Sequence, residues 1–577
     1  MKLADQFVHT LRQAGVERVY GVVGDSLNPI VDAIRRTDGI EWVHVHNEEA
    51  AAFAAAAEAQ VTGRLAVCAG SCGPGNTHLI QGLYDAQRSG APVLALASHI
   101  PATQTGTGFF QETHPERVFG DCSSYCEAIN HAEQMPRIAR IAIQRAISDR
   151  AVSVLIMSGD VADQDAVHPT GDAPFVVEHA TPVPPTAQVQ ALAEAINAAR
   201  TVTIFAGAGA RDARQELFDL ALTIKAPIGH SLRGKEAVQW ENPYDVGMSG
   251  LLGYGAAYDA MHEADLLLLL GTDFPYTDFL PDTPTAQVDR DAGRIGRRTP
   301  VSVGVHGDVR ETLRLLRPML DEKTDRTFLD EMLARHARTL ENVVAAYTDD
   351  RRQRTPIHPE YVADVLDDVA ADDAVFTVET GMNTVWAARY LTPNGRRRVI
   401  GSFWHGSMAN ALPHAIGAQL AQPVRQVVSM SGDGGLAMLM GELLTVRRHG
   451  LPVKIVVFNN SSLGMVKLEM LVEGLPEHET DHAPVDYAAI ARGVGIEGVR
   501  IERPEDLRDG LARALATDGP VLVDVVTDPN ALSMPPHVST QQIRQFAMAA
   551  GKTVLAGGVG KMVDLARANL RNARALG

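Results

Sequence analysis

The strongest constraint on the fold is the run from Ser431 to Val466. An apolar stretch, Gln426-Val427-Val428-Ser429-Met430, reads as a buried strand and leads into Ser431-Gly432-Asp433-Gly434-Gly435. Leu436 to His449 then alternates apolar and polar residues at helical spacing. A second apolar stretch, Val453 to Phe458, ends in Asn459-Asn460-Ser461-Ser462. Strand, glycine turn, helix, strand and polar turn make a βαβ unit, which commits the region to a parallel sheet. Its chemistry follows from the residues. The glycines let backbone approach a bulky anion closely, and the following helix N-terminus turns N–H groups towards it. Asp433 and Asn460 offer hard oxygens from adjacent strand ends, and Mg²⁺ is held by one or two such groups together with phosphate oxygens. The unit suits a magnesium-bound diphosphate.

The rest of the chain repeats the pattern. At 577 residues it is too long for one core, and three domains are expected. In residues 1–180, strands at 19–23, 42–46, 65–69, 93–97 and 152–156 alternate with helices, among them an alanine-rich helix over 50–59. A proline-rich linker, 181–185, leads into residues 186–340. There the strand 201–205 enters the glycine turn 206–210, with further strands within 264–271 and at 286–289. A polar connection, 349–355, precedes a third domain over 357–528, and a tail covers 529–577. The fold class is α/β, with three doubly wound parallel-sheet domains, the first and third reading as one architecture used twice.

A net charge of −18 argues against a nucleic-acid surface. The four cysteines are few for the length and suit a reducing, cytosolic compartment. The CxxxC spacing of Cys68/Cys72 and Cys122/Cys126 is not that of structural zinc pairs. No signal-peptide pattern opens the sequence, and no apolar run is long enough to span a bilayer.

The Gly432-Asp433-Gly434 turn followed by Asn459-Asn460 matches the signature of thiamine diphosphate (ThDP) enzymes. Across nearly the whole chain, and in the stretches 68–76, 110–115 and 401–410, the sequence resembles the bacterial quinone-linked pyruvate dehydrogenases, or pyruvate oxidases. The resemblance implies a homotetrameric, peripheral membrane flavoprotein using ThDP, Mg²⁺ and FAD. It would oxidise pyruvate to acetate and CO₂ and pass electrons through FAD to a membrane quinone, at the cytoplasmic face of the cell membrane. Rival activities are a phosphate-dependent oxidase and an acetolactate synthase-type carboligase. A non-enzymatic rival is an inactive scaffold of the same fold.

The resemblance also implies a site. Glu48 would hold the aminopyrimidine, with Glu49 as the alternative because Asn47 stands where relatives carry His. Phe110, Gln111 and Met465 would lie beside the reacting carbon. Gly406, Ser407 and Met408 would support the bent cofactor. Asp433, Gly434, Gly435, Asn460, Ser461, Ser462, Leu463, Gly464, Met465 and Val466 would hold the diphosphate, with Asp433, Asn460 and the Ser462 carbonyl on Mg²⁺. Gly381-Met382 replaces the expected Gly-Thr and removes a hydroxyl. Met248, Ser249, Gly250 and Leu251, then Gly271, Thr272, Asp273, Phe274, Pro275 and Tyr276, and finally Asp289, would bind FAD. In the tail from about Ala531, Arg544, Lys552, Lys561, Arg567, Arg571 and Arg574 oppose only Asp564. From Lys561 onward, Met562, Leu565, Ala566, Asn569, Ala573 and Leu576 share one helical face. Such a short basic amphipathic helix lies in a membrane interface, attracted to anionic lipid, or packs on the protein.

Overall fold

In a computed structural model, the structure describes residues 1–167, 175, 179–344, 348, 355–533, 548–550, 552, 563, 565, 568 and 569. Three sheets organise the chain. The first holds β1 (Arg18–Gly21), β2 (Glu41–His44), β3 (Ala66–Gly70), β4 (Val93–His99), β5 (Tyr125–Ile129) and β6 (Val152–Ser158), in the order 2-1-3-4-6-5, all parallel. The second holds β7 (Val202–Ala206), β8 (Ile228–His230), β9 (Asp245–Met248), β10 (Tyr254–Gly255), β11 (Leu266–Leu270), β12 (Thr285–Asp289) and β13 (Val303–His306). Their order is 10-9-8-7-11-12-13, with β10 antiparallel to β9. The third holds β14 (Val375–Val378), β15 (Arg398–Gly401), β16 (Val427–Gly432), β17 (Lys454–Asn459), β18 (Glu497–Ile501) and β19 (Val521–Val526), in the order 15-14-16-17-19-18. Strand for strand, the third sheet repeats the topology of the first.

Burial explains the strand sequences. The central strand β11 is Leu-Leu-Leu-Leu-Leu and is covered on both faces, as parallel strands between helical layers must be. The first and third domains share one apolar core, in which Ala51, Ala55 and Leu83 meet Leu412, Ala415 and Ile416. At its centre lies the helix Glu48–Thr62, apolar around its whole circumference and wedged between the helices Pro74–Ser89 and Ala411–Ala421. The wedge is tight. A Cβ on Gly82 would fall 2.5 Å from the Ala52 Cβ, and one on Gly417 would fall 2.0 Å from the Ala54 carbonyl oxygen. Alanine is therefore needed for size as well as for helix propensity.

One element differs from expectation. The helix read over Leu436 to His449 is broken into Asp433–Met438, the 3-10 turn Met440–Glu442 and Leu443–His449. At the break Leu439 leaves helical geometry to pack on Ala50, Phe53 and Ala409. Glu442 turns inward to the first domain, 1% exposed.

Among the described residues no helix is long and apolar enough to cross a membrane. Of the tail residues named above, Ala531, Lys552, Leu565 and Asn569 are described; the others named there lie outside the described residues. Leu565 packs with Ala549 and Leu532 on Leu468 and Leu471 of the helix Gly464–Val472. Asn569 is bonded to the backbone of Asn530 and Leu532.

Candidate active site

In both the first and third sheets the strand order reverses between the first and third strands of the domain, and ligands bind at the carboxyl ends beside such a switch point. In the third domain these ends carry Glu379-Thr380-Gly381 after β14 and Asp433 after β16. A cavity of about 80 Å³ lies here, lined by Thr380, Gly381, Met408, Asp433, Gly434, Gly435, Asn460, Ser462, Leu463, Gly464, Met465 and Val466. Of the predicted diphosphate residues only Ser461 is missing from the lining. It sits at φ 52°, turning the chain so that its neighbours reach the cavity.

Asp433 opens its short helix and is 4% exposed. Its Oδ1 accepts from Gly434 N–H at 2.9 Å and its Oδ2 from Ser461 N–H at 2.5 Å. Burial pushes its carboxyl up, against those donors. A nearby cation would reverse that push. Asn460 Oδ1 accepts from Ser462 N–H at 3.0 Å, while the buried Ser462 Oγ has no partner. Two side-chain oxygens, a strand-end turn and an orphan hydroxyl fit a metal-bound diphosphate.

Met408 is presented by backbone in the left-handed region on both sides, Gly406 at φ 76° and Ala409 at φ 69°. For Ala409 that conformation is strained. Ser407 locks the loop: its N–H donates to Ser402 Oγ at 3.0 Å and its hydroxyl to the Met408 carbonyl at 2.9 Å.

Glu379 was not read from the sequence. It is 2% exposed, and burial pushes its carboxyl up to about 8, against backbone donors of Asn410, Thr380, Ala409 and Ala411. Asn410 Nδ2 donates to its Oε1 at 3.2 Å. A Cβ on Gly435 would fall 2.3 Å from the Glu379 Cδ, so the last glycine of the turn is the one that makes room for this acid. Nothing local marks Glu379; its partners come from the loop thirty residues on and from the turn after β16.

In the first domain, Glu48 begins the helix Glu48–Thr62, and Asn47 caps that helix by accepting from Glu49 N–H at 2.9 Å. The capping role accounts for Asn at this position. Glu48 is buried, 7% exposed, whereas Glu49 is half-buried. Glu48 Oε2 meets His78 Nδ1 at 3.0 Å, a partner that sequence spacing did not reveal. A Cβ on Gly75 would fall 2.8 Å from Glu48 Oε1. Gln111, at φ 64°, lies against Cys72, whereas Phe110 is 78% exposed. Within one chain Glu48, Phe110 and Gln111 do not line the cavity that holds Asp433 and Met408.

The middle domain carries a cavity of about 1060 Å³, at the upper end of what small-molecule sites span. Met248, Ser249, Leu251, Gly271, Thr272, Asp273, Phe274, Pro275, Tyr276 and Asp289 all line it. Gly250 does not. At φ 106° it packs behind the wall, where a Cβ would meet the Phe274 ring at 2.9 Å. Asp289 ends β12, 4% exposed, with its carboxyl pushed up by burial. The same cavity reaches Thr380, Gly381, Met465 and Glu469, so Thr380, Gly381 and Met465 wall both cavities. Glu469, one helical turn beyond Met465, was also not singled out in the sequence.

Fold and site together define an α/β protein whose duplicated sheet presents at its carboxyl edge residues that fit a metal-bound diphosphate. Three family profiles match in order: the thiamine pyrophosphate enzyme N-terminal TPP binding domain over residues 1–118, the central domain over 189–316 and the C-terminal TPP binding domain over 379–525. The chain is 38% identical over 540 residues, 93% of both chains, to YdaP of Bacillus subtilis, described as thiamine pyrophosphate-containing. It is 32% identical over 533 residues to a pyruvate oxidase of Lactiplantibacillus plantarum, covering 90% of this chain and 87% of that one. It is also 30% identical over 564 residues to an acetolactate synthase of Mycobacterium bovis, covering 92% and 89%. The chain belongs to the thiamine pyrophosphate (thiamine diphosphate) enzymes, and is a ThDP-dependent enzyme of decarboxylation type.

Proposed function

We propose that the chain converts pyruvate and water to acetate and CO₂, releasing two electrons and two protons, with the electrons passing through FAD to a membrane quinone. The observation that carries the reading is the shared wall. A dinucleotide-sized cavity in the middle domain ends against the same Thr380, Gly381 and Met465 that close the diphosphate cavity, and a flavin bound there would lie close to the reacting carbon. A carboligase of the acetolactate synthase type has no use for that proximity, and a phosphate-dependent oxidase would send its electrons to oxygen.

The residues divide the work. Thiamine supplies the electron sink that lets a 2-oxo acid lose CO₂. Asp433, Asn460 and the Ser462 carbonyl hold Mg²⁺ on the diphosphate. Met408 supports the cofactor from below. Glu48 holds a proton against the aminopyrimidine, and Phe110 and Gln111 line the space beside the reacting carbon, where water must later enter. Because these three first-domain residues lie outside the cavity of their own chain, a second copy brings them, in a homotetramer. Of the tail, Leu565 packs on the helix Gly464–Val472 and Lys552 donates to the Gly474 carbonyl just beyond it; the tail exchanges that seat for anionic lipid at the inner face of the cell membrane, where the quinone is.

The deciding experiment is a steady-state assay of several 2-oxo acids with quinone, oxygen and ferricyanide as alternative acceptors, beside an anaerobic flavin spectrum. The reading expects a yellow protein that bleaches on pyruvate with Mg-ThDP. A flavin that stays oxidised, or acetolactate as product, favours the carboligase. Peroxide formed only with phosphate favours the oxidase. Deleting residues 531–577 should abolish liposome binding and quinone reduction yet spare ferricyanide reduction; a truncated protein that still floats with liposomes removes the lipid role.

A further inference from the structure

Glu48 stands on a turn that its own domain holds only in part. Strand β2 ends at His44, and the helix begins at Glu48. Val45 N–H bonds the Gly21 carbonyl of the first sheet, but the N–H groups of residues 46 and 47 are held from the third domain. His46 N–H donates to Glu442 Oε1 at 3.1 Å, and Asn47 N–H also bonds this carboxylate. On the far side, Thr445 Oγ1 donates to Glu442 Oε2 at 2.6 Å, and His46 Nδ1 lies 2.9 Å from the same hydroxyl oxygen.

Glu442 is 1% exposed and Thr445 fully buried, and Glu442 makes no ion pair with Lys, Arg or His among the described residues. Burial pushes its carboxyl up to about 7, against the Thr445 hydroxyl and the N–H groups of His46 and Asn47. A buried carboxylate without a cation is costly and is kept only where its hydrogen bonds matter. All of these run to the turn before Glu48 or to Thr445. The break at Leu439 brings it there, because an unbroken helix from Asp433 would carry residue 442 along a different face.

We propose that Glu442 is a positioning residue for Glu48: from the third domain it fixes the backbone of residues 46 and 47, and so sets where the Glu48 carboxyl points. The proposal rests on the reading of Glu48 as the acid that meets the cofactor. Displacements of about 1 Å in such a group are enough to slow chemistry strongly.

Three measurements on Glu442→Gln test it. In the cofactor-free protein, amide hydrogen exchange in the peptide spanning residues 44–50 should quicken while the rest of the first sheet keeps its protection. In the holoenzyme, deuterium exchange at the thiazolium carbon of bound ThDP should slow about tenfold, with the pyruvate KM within twofold of the parent. In the double variant with Glu48→Gln, exchange should be no slower than in Glu48→Gln alone, since Glu442 acts through Glu48. Losses that multiply in the double variant identify a general domain clamp and overturn the proposal. So does parent-like exchange in Glu442→Gln beside a slow Glu48→Gln. Parent-like exchange in Glu48→Gln itself sinks the underlying reading of Glu48, and this proposal with it. If Glu442→Gln does not fold, Thr445→Val, which removes the bridging hydroxyl, is read against the same outcomes.

Discussion

The first and third domains share a strand order and differ in what each strand end carries. After the third strand of the first domain comes Ser71-Cys72-Gly73-Pro74-Gly75; after its counterpart β16 comes Asp433-Gly434-Gly435. After the second strand come Asn47 and Glu48; after its counterpart β15 comes the loop that presents Met408. In the proposed function, one frame carries an acid that would meet a heterocycle, and the other an acid and amide that would meet a metal. The lesson is that topology fixes where a site lies and strand-end residues fix what it does. The two glycine turns show it at close range. Each leaves out a side chain to admit a buried carboxylate: Gly75 beside Glu48, Gly435 beside Glu379.

That comparison can be broken by substitution. The largest effect is expected for Glu48→Gln, which should keep ThDP binding while turnover falls on the order of 10²-fold or more; steady-state kinetics and a cofactor titration check both halves. Gly435→Ala forces the Glu379 carboxyl aside, at about 1–3 kcal/mol. It should weaken ThDP binding, measured by calorimetry. Gly75→Ala should instead leave binding intact and slow turnover. Equal binding defects in the two variants would erase the distinction between the turns.

The third prediction uses pH. The Glu379 carboxyl, near 4.5 in an unfolded chain, is pushed up to about 8 in the fold, so the native state holds its proton over that interval. Its contribution to stability is full below about 4.5 and is lost as pH rises through about 8. In the cofactor-free protein, Glu379→Gln should therefore flatten the decline in thermal midpoint between pH 5.5 and 8.5, measured against the parent because Glu442 declines in the same sense. An unchanged slope would mean that Glu379 is already ionised. The smallest effect is expected for Asn47→Ala, which removes the helix cap at a cost of about 1 kcal/mol. A shift in the denaturant midpoint with kcat nearly kept would mark Asn47 as a cap. A collapse of kcat would give it a part in the chemistry.

What was legible in the sequence was whatever is written locally. The βαβ unit, the glycine turn, the strand-end Asp433 and Asn460, and the three-sheet plan follow from runs of a few residues and their punctuation. The middle-domain segments, Gly250 excepted, meet around one cavity, since strand ends after apolar runs are easy to place. What escaped has long-range causes. Glu379, His78 and Glu442 are ordinary acids and a histidine until the fold brings partners from other elements to them. The break at Leu439 is invisible in a periodic pattern, because it is imposed by contacts with Ala50, Phe53 and Ala409 in another part of the chain. Phe110 and Gln111 were read as lying beside the reacting carbon, but a single chain does not seat them in the cavity that holds Asp433 and Met408.

The alanine helix has a consequence for how such a chain can change over time. Its methyls fit a gap set by Gly82 on one side and Gly417 on the other. A larger residue at Ala52 needs room on the helix that carries Gly82, and at Ala54 the backbone itself already fills the space beside Gly417 in the other domain. Single mutational steps are therefore closed in the wedge, while the cavity-facing loops at the strand ends stay open to them. Diversification of a lineage built on this frame is channelled into loop chemistry, and the seam between the two domains is inherited almost as a unit.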